Sequence, residues 1–192
     1  MNTLTFRLAR EDDAPTLLGI YSQYIDTSIT FEDVLPSEEE FRARIRDISS
    51  FYPYIVCERD GVPIAYAYAH RQFERAAYRW VAELSVYLSS DSRGYRLGET
   101  MYDKVIALLK LQGVQTVNAI VTSPNPRSER LHERMGFAKT GFFPNVGYKN
   151  GEWHATTWYT RCIGDYAAPP RECVCIHDLP AERVSDILND KE

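Results

Sequence analysis

The sequence is short of cysteine, of net charge and of long hydrophobic runs, and each shortage removes a class of protein. Its four cysteines (Cys57, Cys162, Cys173 and Cys175) form neither a regular ladder nor a CxxC pair, so a disulfide framework is not expected and a reducing, cytoplasmic setting is. No window approaches the roughly 18 apolar residues a membrane span requires. The N-terminal stretch alternates polar and apolar residues instead of presenting the apolar block of a secretory signal. With 22 Lys plus Arg against 27 Asp plus Glu, the net charge of −5 lacks the basic excess or stripe of a nucleic-acid binder. What is present is a chain of 192 residues, 44% hydrophobic. That length buries roughly 70% of the unfolded surface without disulfide or metal staples, and suits one globular domain.

The hydrophobic pattern orders the elements. Residues 5–8 alternate like a short strand, and Asp12, Asp13 and Pro15 then open a helix carrying Leu17, Ile20, Tyr21, Tyr24 and Ile25 at spacings of three and four. After Pro36, Ser37-Glu38-Glu39-Glu40 spells a capping box for a second helix with Phe41, Ile45 and Ile48 on its apolar stripe. Residues 52–57, 63–69 and 78–88 are aromatic and β-branched, with Asp60-Gly61 as a hairpin turn, so they predict three antiparallel strands. A glycine-containing loop over 93–98 leads to a helix through Met101, Val105, Leu108 and Leu109 that Gly113 closes. An apolar strand over 114–121 precedes Asn125-Pro126, which reads as N-cap and first residue of a helix ending at Gly136. Strands over 137–146 and 153–163 complete the set. Residues 1–163 therefore form one α+β domain, a mixed and mostly antiparallel sheet flanked by helices, and residues 164–192 an appendage with a short helix over 180–188.

A strand, the loop Arg93-Gly94-Tyr95-Arg96-Leu97-Gly98 and a helix start make a layout that suits an anion. Backbone N–H groups turned inward and the positive end of the helix dipole can hold a pyrophosphate. The Walker lysine and the G-x-G-x-x-G spacing are both missing, which argues against nucleoside triphosphate and dinucleotide chemistry. Cys173, Cys175 and His177 share one parity and could suggest a metal clip, but no fourth ligand stands nearby and a structural tail is the expected reading.

Several motifs in order resemble the GNAT-type N-acetyltransferases. They are Val86-Tyr87-Leu88 before the loop, the loop itself, Asn125-Pro126 with Ser128, and His132-Glu133-Arg134-Met135-Gly136-Phe137. More narrowly, Ala77-Tyr78-Arg79-Trp80, Glu83-Leu84-Ser85-Val86-Tyr87 and Gly147-Tyr148-Lys149-Asn150-Gly151-Glu152-Trp153-His154 are similar to the phosphinothricin N-acetyltransferase group. The likeness runs from about residue 6 to residue 161.

The resemblance implies a GNAT-like acyl-CoA N-acyltransferase fold and acetyl-CoA as acyl donor, without metal. It implies direct transfer to the amine of a small amino-acid-like acceptor of the phosphinothricin or methionine sulfoximine type. A sensor module that binds acyl-CoA without turnover, and a transferase for protein or peptide amines, stand as alternatives. Val86, Tyr87 and Leu88 would pair with the pantetheine arm; Arg93, Gly94, Tyr95, Arg96, Leu97, Gly98 and Glu99 would clamp the diphosphate; Asn125 and Ser128 would face the cofactor. Arg96 stands where the family usually has glycine, and Ala155 where it usually has aspartate. Glu83 matches the family carboxylate, with Val81, Ala82 and Leu84 as an apolar setting that raises its pKa. His132, two turns from Asn125, would be the acid or the base. Arg79 would lie on the same strand face as Glu83, roughly 13 Å away along a regular strand, and bind an acceptor carboxylate in competition with Arg71 and Arg75. Phe31, Tyr78, Trp153 and His154 would wall the pocket. Family habit implies a homodimer.

Overall fold

The computed structural model describes residues 3–92 and 96–189. A seven-stranded sheet runs in the order β1-β2-β3-β4-β5-β7-β6. Its strands are β1 (Leu4–Leu8), β2 (Tyr54–Arg59), β3 (Val62–Arg71), β4 (Val81–Leu88), β5 (Thr116–Ser123), β6 (Ala138–Lys149) and β7 (Glu152–Cys162). Helices α1 (Ala14–Ile25) and α2 (Glu38–Ser49) cover one face; α3 (Leu97–Gln112) and α5 (Ala181–Asn189) cover the other, and α4 (Pro126–Arg134) follows β5. All neighbouring strands are antiparallel except β4 and β5.

The turn chemistry works as the residues require. Asp60 and Gly61 both take positive φ (51° and 83°) between β2 and β3, the conformation of a tight hairpin that the sheet's twist favours. Ser37 Oγ accepts from the Glu40 N–H at 3.3 Å while the Glu40 carboxylate accepts from the Ser37 N–H at 2.7 Å, closing the capping box at the start of α2. Asn125 Oδ1 accepts from the Ser128 N–H at 3.2 Å and caps α4.

The two faces of the sheet follow from the period of two along β3. Ala65, Ala67 and Ala69, with Ala82 and Leu84 of β4, lie under α3, where the small side chains let the helix come close. Tyr66 and Tyr68 point the other way and stack with Tyr54 and Tyr87 beneath α1 and α2.

Two expectations need correction. The third predicted strand begins at Val81, because Ala76–Tyr78 form a single 3-10 turn that removes Tyr78 and Arg79 from the strand. The segment from residue 164 onward is no appendage: Ile176, Val184 and Leu188 belong to the same core as α3. Its main chain is sewn on by the Gln112 side-chain amide, which donates to Phe51 and Val174 carbonyls at 2.8 Å, and by the Trp80 indole, which donates to the Arg171 carbonyl at 2.7 Å. Cys175 and His177 are engaged with the carbonyls of Ser50 and Ser49. Among the described residues no group of His, Cys, Asp and Glu is arranged to hold a metal ion.

Leu188→Ala, in that tail, removes a side chain that is 5% exposed. It should lower the unfolding free energy by about 2–4 kcal/mol, read by denaturant titration; a loss below about 0.5 kcal/mol would show the tail to be dispensable.

Candidate active site

The site begins where two strands part. β4 and β5 are paired only over Val81–Glu83 with Thr116–Asn118, and past Glu83 they diverge. The remainder of β4 keeps β3 on one side and loses its partner on the other. There the Tyr24 hydroxyl donates to the Leu88 carbonyl at 2.6 Å and accepts from the Leu88 N–H at 3.2 Å. Main-chain direction alternates along a strand, so the N–H and C=O of Val86 face the same opening, two residues back.

Three cavities follow this opening. The largest, about 510 Å³, is walled by Ile29, Val86, Leu88, Leu97 and Leu131, and carries Arg96, Arg127 and Arg134 with Asn125 and Ser128. Gly98 gives α3 and α4 a close approach, since a Cβ there would stand 3.0 Å from Leu131 Cδ1 and that side chain would have to shift. Glu99, also in the wall, is held by Arg134 at 2.6 Å, which offsets the one acidic charge in the groove. Arg96 precedes α3 in the left-handed conformation (φ 52°, ψ 20°), and its carbonyl accepts from the Glu99 and Thr100 N–H groups. The arginine therefore adopts the backbone a glycine would take, and its charged side chain is exposed at the helix start. An apolar trough ending in three arginines and a helix N-terminus fits a pantetheine arm and a diphosphate, so coenzyme A suits the residues present. Arg93, Gly94 and Tyr95 lie outside the described residues.

On the opposite face of the sheet, a cavity of about 230 Å³ is lined by Glu83, Ser85, His70, Glu32, Arg44 and a set of tyrosines. Burial raises the Glu83 carboxyl above the ordinary carboxylate range, and the neighbouring His70 offsets part of the rise when its ring is protonated. The direction is as expected but the cause differs. Ala82 and Leu84 point into the core beneath α3, and the groups around Glu83 are Tyr54, Tyr66, Tyr68 and Tyr87. Glu32 pairs with Arg44 at 2.7 Å.

A narrow space of about 80 Å³ between the diverging strands shares Val86, Asn125 and Ser128 with the larger groove and Ser85 and Tyr87 with the smaller cavity. His132 borders it, 2% exposed, enclosed by the rings of Tyr102, Phe137 and Tyr159. A carbonyl can only accept, so Nδ1 carries the proton and donates to the Ser128 carbonyl at 2.7 Å; Nε2 is left as a bare, buried acceptor without a partner among the described residues. Burial lowers the His132 pKa, the Ser128 hydrogen bond only partly opposing it, and the ring is neutral.

The family model for the acetyltransferase (GNAT) domain matches residues 6–158. The chain belongs to the GNAT acetyltransferase family. It is 36% identical to the phosphinothricin N-acetyltransferase of Alcaligenes faecalis, over 86% of each chain. It is 28% identical to the L-methionine sulfoximine/L-methionine sulfone acetyltransferase of Salmonella typhimurium, over 86% of this chain and 98% of that one. The crystal structure of a GNAT superfamily phosphinothricin acetyltransferase from Sinorhizobium meliloti in complex with acetyl-CoA superposes with a TM-score of 0.84 at 32% identity, covering 90% of this chain and 95% of that one.

Against this GNAT frame the expected site residues divide. Val86, Leu88, Arg96, Leu97, Gly98, Glu99, Asn125 and Ser128 line the groove, whereas the Tyr87 ring turns to the smaller cavity. Arg79 is not at the site: it lies over the Trp80 ring and pairs with Glu172 at 3.5 Å, because the 3-10 turn directs it to the tail. Tyr78 packs on Phe73, and Trp153, 63% exposed, packs on Tyr148, and neither lines any of these three cavities. Phe31 covers Gly147, where a Cβ would strike its ring, and lies beside His154, whose Nε2–H donates to the Lys149 carbonyl. Arg44, Glu32, His70 and Arg127 escaped the sequence reading, and Tyr24 and Arg134 entered it only as members of a helix stripe and of a motif; the α1–α2 connection carries Glu32 to Arg44.

That connection is held by Lys149, 3% exposed, which donates to the carbonyls of Ile25, Thr30 and Glu32 at 2.6, 2.7 and 2.8 Å. It carries Ile29 into the larger groove and Glu32 into the smaller cavity. Lys149→Met strands those carbonyls and should cost about 2–4 kcal/mol of stability, checked by denaturant titration. Arg96→Gly separates conformation from charge: stability should rise by up to about 1 kcal/mol while coenzyme A affinity measured by calorimetry falls.

Proposed function

We infer that the chain is an N-acetyltransferase that moves the acetyl group of acetyl-CoA to the amine of a small amino-acid-like acceptor, of the phosphinothricin or methionine sulfoximine kind. The observation that carries this reading is the pair of cavities meeting where β4 and β5 part, an arginine-rimmed apolar groove on one side and a buried carboxylate on the other. Acetyl-CoA supplies the activated thioester; the chain supplies alignment and proton handling. Val86 offers its free N–H and C=O to the pantetheine amide, as an added strand would. Arg96, Arg127 and Arg134 hold the phosphates.

Glu83 is the general base. An acceptor ammonium must lose a proton before its nitrogen can attack, and a carboxylate whose pKa is raised by burial is a stronger base than an ordinary one. Arg44 replaces Arg79 as the cation for an acceptor carboxylate, exchanging Glu32 for the ligand. His132, neutral with its Nε2 lone pair bare, acts as a hydrogen-bond acceptor at the junction and fixes the first turn of α4 through Ser128. Arg71 does not line the cavity that holds Glu83 and Arg44, so it is not the choice for the acceptor.

The exposed side chains of Phe142, Phe143, Val146, Tyr148 and Trp153 on the β6–β7 hairpin support a homodimer, in which they would be covered. A cytoplasmic setting agrees with the free thiols of Cys57, Cys162, Cys173 and Cys175.

Thiol release from acetyl-CoA in the presence of phosphinothricin or methionine sulfoximine tests the activity. Glu83→Gln should lower kcat/KM on the order of 10²–10⁴-fold; full activity in that variant would reject the base. In the unaltered protein kcat/KM should climb with pH through the Glu83 ionisation, above the ordinary carboxylate range. The stability effect has the opposite sign. A folded pKa above the unfolded one means the charged carboxylate destabilises the fold as pH rises past the folded value. Glu83→Gln should therefore melt higher than the parent at neutral pH, with the gain gone at acidic pH.

A further inference from the structure

The GNAT reading leaves His70 without a task, although it stands directly opposite Glu83 in the β3–β4 ladder. His70 Nδ1 lies 3.0 Å from the Arg71 carbonyl, so Nδ1 carries the proton and the bare Nε2 is turned toward Glu83, 3.9 Å from its Oε1. The ring is tilted against Tyr68. Its side chain is 33% exposed against 19% for Glu83, which makes it the wetter of the two groups.

A base that takes a proton in a half-closed cavity must pass it on before the next turnover. The cavity offers few routes. Glu32 and Arg44 neutralise one another at 2.7 Å. Tyr21, Tyr54, Tyr66, Tyr68 and Tyr87 are all shifted upward by burial and remain uncharged near neutral pH. Arg71 is turned to Glu74, 3.8 Å away. The His70 imidazole remains, a cavity-lining ring whose bare nitrogen can accept a proton and hand it on.

We propose that His70 is a positioning residue for the acetyl transfer: it acts through Glu83, receiving the proton that Glu83 takes from the acceptor ammonium and releasing it to solvent. This rests on Glu83 being the base. One acceptor N–H bond breaks and a Glu83 O–H bond forms; the freed nitrogen pair makes the N–C bond, the C–S pair leaves with the sulfur, and the second N–H proton, lost as the amide forms, goes to that sulfur to give the thiol. The Glu83 O–H then breaks as an Nε2–H forms, and the imidazolium gives its proton to water, so both side chains return to their starting state. The separation of 3.9 Å is one that a single bridging water or a small side-chain rotation closes. The Arg71 carbonyl stabilises the protonated ring because it keeps its Nδ1–H throughout.

The test compares His70→Asn, His70→Ala and Glu83→Gln with phosphinothricin and methionine sulfoximine as acceptors. Asparagine keeps an N–H for the Arg71 carbonyl but cannot titrate. His70→Asn should lower kcat roughly ten-fold with the acceptor KM held within about two-fold, and the rise of kcat with pH should change shape. Added imidazole should restore much of the activity of His70→Ala. If His70→Asn keeps the parental kcat and pH profile while Glu83→Gln is inactive, the relay is wrong and the base stands. If imidazole fails to rescue and both His70 variants lose activity only in step with melting temperature, the residue is structural and the relay is again wrong. If Glu83→Gln is fully active, the base and the relay fall together.

Discussion

The parting of β4 from β5 is the constraint on which the rest depends. Two parallel strands joined over a few residues and then splayed leave main-chain donors and acceptors without a ladder partner, a costly state for buried backbone unless something else pairs with them. Tyr24 occupies one such pair at Leu88, and the Tyr102 hydroxyl reaches the Leu84 carbonyl at 3.4 Å. Val86 sits between these two capped positions. The opening along β4 is thus bounded by a tyrosine hydroxyl at each end.

The two sides of the sheet need different side chains for the same reason. Alanines under α3 bring that helix close to β3 and β4, so its N-terminus and Arg96 arrive beside the strand ends. Tyrosines on the other side build a stacked wall that is apolar in its rings and offers hydroxyls at its rim. A carboxylate set in that wall is destabilised as an ion, and this destabilisation is what makes it basic. One alternating strand therefore packs under α3 with one face and sets a carboxylate into the tyrosine wall with the other.

Most of the architecture was legible because local rules and global fold agree. The capping box at Ser37, the turn at Asp60-Gly61 and the Asn125-Pro126 helix start all form as their residues require. The surroundings of Glu83 were not legible: neighbours in sequence point to opposite faces of a strand, so Ala82 and Leu84 say nothing of what touches Glu83. Arg79 misled because strand parity was extended through a 3-10 turn that breaks it. The tail misled because its prolines signal a break in regular structure, while Ile176, Val184 and Leu188 pack into the core from an irregular path. Arg44, Glu32 and His70 meet only through long-range contacts, and no spacing along the chain announces them.

The acidic net charge and an anionic donor conflict only if charge is averaged over the molecule. At the groove Arg96, Arg127 and Arg134 face a lone Glu99, and that glutamate is already paired. The acids lie mainly elsewhere, as at Glu38, Glu39 and Glu40 in the first turn of α2. Attraction between exposed charges decays over about 8–10 Å at physiological salt, so the groove responds to its own arginines more than to the total. Arg96 shows how tightly this local demand is met: a charged residue occupies a left-handed position that glycine would fill without strain. The conformational cost falls on one residue, and the charge it brings lies in the groove wall at the start of α3.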